Sequence, residues 1–238
     1  MGVTTILTVG VGLLTTYFQN PLGCCLTNSD KQQLAKLAKQ YQCFMVEDDI
    51  YAECGHDNQR PLPLSFWDES GYVIWCSSVS KSLSTAYRVG WFVSTPPLQQ
   101  YITPFVGGNL VRVDMMIQLV LADFLNSGAY RKHLNQLRPQ LYQRVAEYRE
   151  VISRHFTDLP MRMTNPKGGY ALWIQFDESV DGFAVYEQAQ KQGIDIATGL
   201  AFGQEQRYRN CIRINTGHAL TDKVNKALAT LAELVRQQ

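Results

Sequence analysis

Apolar positions in the first part of this chain fall into short runs separated by polar turns. Within the opening apolar stretch Val3 to Phe18, Leu13 to Phe18 predicts a buried strand, and Asn20-Pro21-Leu22-Gly23 then breaks the chain. Thr27 to Tyr41 predicts a helix: Thr27 and Asp30 have capping-box spacing, and Leu34, Leu37, Ala38 and Tyr41 share one face. Phe44-Met45-Val46 predicts a short buried strand running into Glu47-Asp48-Asp49. Tyr72 to Ser77 and Arg88 to Val93 predict two more. Strands alternating with helix at this spacing imply an α/β sheet, mostly parallel and covered by helices.

The pattern changes after Pro104. Met115 to Leu125 predicts a helix. Leu134, Leu137, Leu141, Val145, Tyr148 and Ile152 step by three and four, giving one long amphipathic helix, with a kink or late start expected at Pro139. Strands at Tyr170 to Phe176, Ile194 to Ala197 and Cys211 to Asn215 are interleaved with a helix from Phe183 to Gln192, closed by Gly193. A last helix starts at Thr221 and buries Val224, Leu228, Leu231 and Val235. The expected organisation is a large α/β domain over residues 1–140 and a smaller α+β domain over 141–238, with a soft boundary near 130 to 150.

Composition narrows the function. The 238 residues are 45% hydrophobic and 18% charged, and the formal net charge is +1. No basic run announces nucleic acid or an anionic membrane as a direct partner. The opening apolar stretch lacks a basic flank and is too short to span a bilayer comfortably. The six cysteines form no C-x-x-C pair and no zinc-spaced cluster with histidine, which suits a reduced, cytoplasmic protein.

Four local features carry candidate chemistry. Ser77-Ser78-Val79-Ser80-Lys81 closes a strand, with Arg88 following. A lysine at a buried strand end has its neutral, nucleophilic form favoured by desolvation, and nearby hydroxyls and a guanidinium suit a phosphate. Its ordinary alternative is a solvated, serine-rich turn. Asp48-Asp49-Ile50-Tyr51 also follows a strand, where α/β proteins place ligands, although helix capping is the commoner use of such carboxylates. Asn20-Pro21-Leu22-Gly23 is by itself an ordinary turn, and Arg213 in Ile212-Arg213-Ile214-Asn215 by itself an outward strand arginine.

In this order the four are far more specific than singly. Asn-Pro-x-Gly, Asp-x-x-Tyr, Ser-x-Ser-Lys with a following Arg, and Arg-x-Asn resemble the class I and II aminotransferases of the pyridoxal-phosphate (PLP) fold type I. Tyr72 to Trp91, Gly128 to Arg138, Gly168 to Trp173 and Asn210 to Gly217 resemble most closely the aminotransferase-like domain of MocR-type regulators, a branch of the GntR family. The resemblance runs from about Leu13 to the end. It implies that Lys81 binds PLP covalently, that Asp48 pairs with the pyridine nitrogen, and that Tyr51 and Asn20 hydrogen-bond the cofactor's 3-oxygen. Ser78, Ser80 and Arg88 would hold the phosphate. Arg213 would grip the α-carboxylate of an amino acid, and Asn20 would also bind the substrate. A cis bond at Asn20–Pro21 is expected on the same ground.

The resemblance further implies a homodimer that senses an amino acid or amine. In that family the large domain begins well before Asn20 and includes a Gly/Ser-rich phosphate loop, and a winged helix-turn-helix precedes it. The chain is therefore expected to be the carboxy-terminal part of such a regulator, meeting DNA only through an amino-terminal module and holding PLP poorly alone. Thr85-Ala86 and Thr198-Gly199 replace the family's Pro-Gly pairs, both in loops. Alternatives remain: part of a free-standing aminotransferase, an interaction domain without cofactor, and a serine acyl-enzyme with Ser78-Val79-Ser80-Lys81 as its S-x-x-K.

Overall fold

A computed structural model describes residues 10–57, 59–107, 113–203 and 206–238. Residues 1–9, which begin the opening apolar stretch, lie outside this description. The chain divides into two compact units. The first comprises residues 1–17, 25–53 and 60–134; the second comprises 18–24, 54–59 and 135–238.

The first unit is built on a sheet ordered β1 (Val11–Leu14), β2 (Phe44–Asp48), β3 (Val73–Ser78) and β4 (Gly90–Val93). The first three strands are parallel and β4 is antiparallel to β3. Helix α1 (Asn28–Tyr41) starts at the expected capping box, in which Thr27 accepts from the Asp30 N–H and Asp30 from the Thr27 N–H. It packs beside Leu64 and Val73, with Ala35 in that small core. Helices α2 (Pro96–Gly107) and α3 (Met115–Asn126) complete the described part of the unit.

Two expectations need correction here. The first strand covers Val11–Leu14, not Leu13–Phe18, and as a described edge strand it leaves Leu13 74% exposed. On α1 the buried positions are Lys31, Ala35 and Ala38, whereas Tyr41 is 69% exposed. Lys31 is buried because its ammonium has partners inside: it donates to the Tyr17 hydroxyl and to the Leu62 carbonyl.

Helix α4 (Ala129–His155) runs continuously through Pro139, so the late start does not occur. Pro139 lies on the exposed side, where water can satisfy the carbonyl that a proline leaves unpaired. In the second unit an antiparallel sheet has the order β5 (Met161–Met163), β6 (Ala171–Phe176), β8 (Cys211–Asn215) and β7 (Ala197–Thr198). The expected strand at Ile194 to Ala197 shrinks to Ala197–Thr198, and β5 was not anticipated. One sheet face presents Leu172, Ile174, Ile212 and Ile214 to α4, to α5 (Gly182–Lys191) and to α6 (Asp222–Arg236). Phe156, Val185, Leu228, Leu231 and Val235 fill the core between them.

Candidate functional site

The first unit gathers candidate residues at the carboxyl ends of β2 and β3. Alternation along β2 sends Glu47 and Asp49 to one face and Asp48 to the other. Asp48, the last residue of β2, is half-buried, pairs in register with Cys76, and accepts a hydrogen bond from the Ile50 N–H at 3.2 Å. Tyr51 follows in the next turn, and the Lys81 ammonium lies 5.6 Å from the centre of its ring.

Lys81 sits between two anchored neighbours. Val79 is fully buried, and its carbonyl accepts from the Leu83 N–H at 2.8 Å. Ser82 is buried, with its hydroxyl 2.7 Å from the Tyr130 hydroxyl and its carbonyl accepting from His133 Nε2 at 2.7 Å. Ser78 and Ser80 share a 2.7 Å hydroxyl contact, and the Ser78 hydroxyl accepts from the Ser80 N–H at 3.0 Å. Arg88 is exposed in a left-handed backbone conformation (φ 55°), with no hydrogen bond or ion pair among the described residues.

Behind this edge lies a polar core that sequence reasoning missed. Glu47 is 0% exposed and accepts from the Thr16 hydroxyl (2.6 Å), the Leu64 N–H (2.6 Å) and the Ser65 N–H (3.1 Å). Asp49 is 1% exposed and accepts from Arg60 (2.5 Å) and from Trp75 Nε1 (2.8 Å), while its Oδ1 has no partner among the described residues. Burial pushes the Asp49 carboxyl up to about 6 against the opposing pull of Arg60 and Trp75. Arg60 also donates to Glu53 at 2.7 Å. The one signal available was the strand period itself, which separates Glu47 and Asp49 from Asp48.

The second unit brings Arg213 and Asn20 together: Arg213 Nη1 donates to Asn20 Oδ1 at 3.2 Å. The Arg213 guanidinium lies 5.2 Å from the Phe202 ring centre, and its Nε–H is buried with no acceptor among the described residues. Opposite it in register is Trp173, flanked edge-on by Phe202 at 5.6 Å and Tyr208 at 5.7 Å. The Asn20–Pro21 bond is cis, as expected. Gly23 closes that turn at φ 70°, where an added Cβ would stand 2.5 Å from Pro166. Gly168 bridges to Gly55, and a Cβ on it would stand 2.5 Å from the Phe18 ring. Among the described residues no group of acidic, histidine and cysteine side chains is placed to hold a metal ion, and no helix is long and apolar enough to cross a membrane.

A mostly parallel sheet with a strand-end lysine, followed by a helix-backed antiparallel sheet with a strand arginine, defines an aminotransferase-type fold. The chain belongs to the aminotransferase class I and II family, whose model matches residues 7–231. It is 32% identical to the HTH-type transcriptional regulator YjiR of Escherichia coli over 91% of this chain and 46% of that protein. It is 25% identical to aromatic-amino-acid aminotransferase 1 of Thermococcus litoralis over 93% of this chain and 53% of that one. The solved structure of Pyrococcus horikoshii kynurenine aminotransferase superposes with a TM-score of 0.84 at 24% identity, covering 96% of this chain and 56% of that one. The chain thus spans about half the length of the curated relatives it matches.

Proposed function

We propose that this chain is the ligand-sensing part of a MocR-type, GntR-family transcriptional regulator: an aminotransferase-like domain that binds PLP and recognises an amino acid or amine. The observation that carries this reading is the likeness to YjiR, an HTH-type regulator, along 91% of the chain. Near-neutral charge supports leaving DNA contact to a separate helix-turn-helix module. The whole regulator works as a cytoplasmic homodimer in this reading. The weaker likeness to the Thermococcus aminotransferase supports a second one, part of a catalyst that moves an amino group between an amino acid and a 2-oxo acid.

The residues fit the cofactor. Lys81 and Tyr51 put an amine beside a phenol, and Asp48 offers an acceptor at a strand end. The Ser78 hydroxyl, which donates to the Val89 carbonyl at 2.7 Å, and the Ser80 hydroxyl beside it would turn to donate to a phosphate. PLP supplies an aldehyde that reacts with amines and a protonated ring that withdraws electrons. Lys81 would supply the amine that holds the aldehyde and, once freed from it, a base that could carry a proton. Asp48 would hold the proton on the pyridine nitrogen. Tyr51 and Asn20 would hydrogen-bond the 3-oxygen. Ser78, Ser80 and Arg88 would hold the phosphate. In the second unit Arg213, steadied by Asn20, would offer a carboxylate its Nε–H, which has no acceptor among the described residues.

Sensing asks for less than turnover: the ligand must displace Lys81 and bind two states of the regulator unequally. The test uses the gene product that carries this chain. Borohydride reduction and peptide mapping should place the pyridoxyl group on Lys81, and operator affinity should change with PLP and amines. A label on another lysine rejects the assignment; efficient transamination without DNA affinity favours the second reading.

A further inference from the structure

We propose that the second unit carries a subsite for a second anionic group, so that its preferred ligands are amino acids whose side chain ends in a carboxylate. The proposal deepens the sensing role above and rests on Arg213 taking the ligand's α-carboxylate.

Residues directly opposite in an antiparallel pair share a face, so Trp173 and Arg213 lie together, as do Gln175 and Cys211, and Arg162 and Gln175. The face opposite the apolar core therefore carries Arg213, Trp173, Cys211, Gln175 and Arg162. Cys211 is about 7 Å along β8 from Arg213, and Arg162 is two strands across, roughly 10 Å to the side. Those spacings lie within the reach of two arginine side chains and a ligand of amino-acid length.

A groove of about 480 Å³ on this face is lined by Trp173, the register partner of Arg213, and by Cys211 and Gln175. Leu22, Trp173 and Tyr208 give it apolar walls, and Arg162 and Arg207 give it two guanidinium groups. Among the described residues no acidic side chain lines it. That absence is informative because other arginines of this unit do pair with carboxylates: Arg154 with Glu150, Arg209 with Asp181, and Arg236 with Asp158 and Glu233. Arg162 has no carboxylate partner among the described residues, although it lines a second groove together with Asp177 and Glu178. Asp177 is instead engaged with the Ser179 N–H and hydroxyl. Arg207 rests its guanidinium 5.6 Å from the Tyr208 ring centre, which orients it without neutralising it. A planar carboxylate is the partner that such forks match bidentately.

Calorimetric titration of the gene product that carries this chain, with PLP present, tests this with ligands of equal length: L-glutamate against L-norvaline, and L-2-aminoadipate against L-norleucine. The acidic member of at least one pair should bind tenfold or more tightly. Arg162→Gln combined with Arg207→Gln should erase that preference and leave the neutral amino acids unaffected. Arg213→Gln should weaken all four. Equal binding within both pairs, or a preference that survives the double substitution, overturns the second subsite while Arg213 keeps its role. Neutral and acidic ligands that bind the Arg213→Gln variant as well as the parent overturn the carboxylate assignment on which both readings stand, as does binding of no ligand at all.

Discussion

Glu47→Gln isolates what a buried carboxylate does for the strand that presents Asp48. Glu47 is 0% exposed, and three donors converge on it, from Thr16, Leu64 and Ser65. Hydrogen bonds to a charged group contribute about 1.5–3 kcal/mol each, and a stranded buried donor costs about 1–3 kcal/mol. Glutamine keeps the shape and one acceptor oxygen but turns an NH₂ toward at least one donor. The expected loss is about 2 kcal/mol. Glu47→Ala strands all three donors and leaves a void, so its loss should be about 4 kcal/mol. Urea unfolding followed by tryptophan fluorescence can read this locally: in a Trp173→Phe background the remaining tryptophans, Trp67, Trp75 and Trp91, all belong to the first unit. A cycle with Thr16→Val should give a coupling of about 0.5–3 kcal/mol. Glu47→Ala within about 1 kcal/mol of the parent, or glutamine more damaging than alanine, would refute the reasoning.

Asp49 makes the first unit pH-sensitive. Its folded carboxyl sits at about 6, above the unfolded value, so the native state takes up a proton the unfolded chain does not. Stability should fall as pH rises from about 4 to 6, by at most about 3 kcal/mol, and Asp49→Asn should flatten that slope in urea titrations across the window. Gly168→Ala drives a methyl into the Phe18 ring and should lower second-unit stability by about 1–3 kcal/mol, read by calorimetric melting and partly restored by Phe18→Leu. Arg213→Lys keeps the charge but loses the fork; amino-acid binding should weaken about tenfold or more, and unchanged affinity would show that geometry at Arg213 is immaterial.

Local signals read well where one physical rule dominates. Thr27 and Asp30 form the capping box they spell, Thr221 caps α6, and β6 and β8 fall where alternation puts them. Met161–Met163 escaped because three residues carry no period. Ile194 to Ala197 looked like a strand by composition, but only Ala197 and Thr198 find a partner on β8. Lys31 shows the limit of polarity as a guide: a charge belongs inside a helix face when Tyr17 and Leu62 meet it there, and neither is its sequence neighbour. The strand-end positions of Asp48, Tyr51 and Lys81 were legible from turns that follow apolar runs. Arg60 was not, because its partner Asp49 depends on how an irregular loop returns to the sheet.

The interleaving of the two units has a consequence for how the molecule is made. Phe18–Cys24 and Cys54–Gln59 leave the ribosome well before residues 135–238, yet belong to the unit that those residues complete. Gly55 waits for Gly168, and Asn20 waits for Arg213 across 193 residues. At ordinary elongation rates that wait is about 10–40 s, long compared with the formation of helices and hairpins. During it the Phe18 ring lacks Gly168, the glycine against which it closes in the finished protein. No single cut separates the units, so a shortened gene ending before β8 leaves the Asn20 turn without its arginine. The Arg213–Asn20 pair therefore forms only after β8 has been made, and ligand recognition that depends on it can begin no earlier.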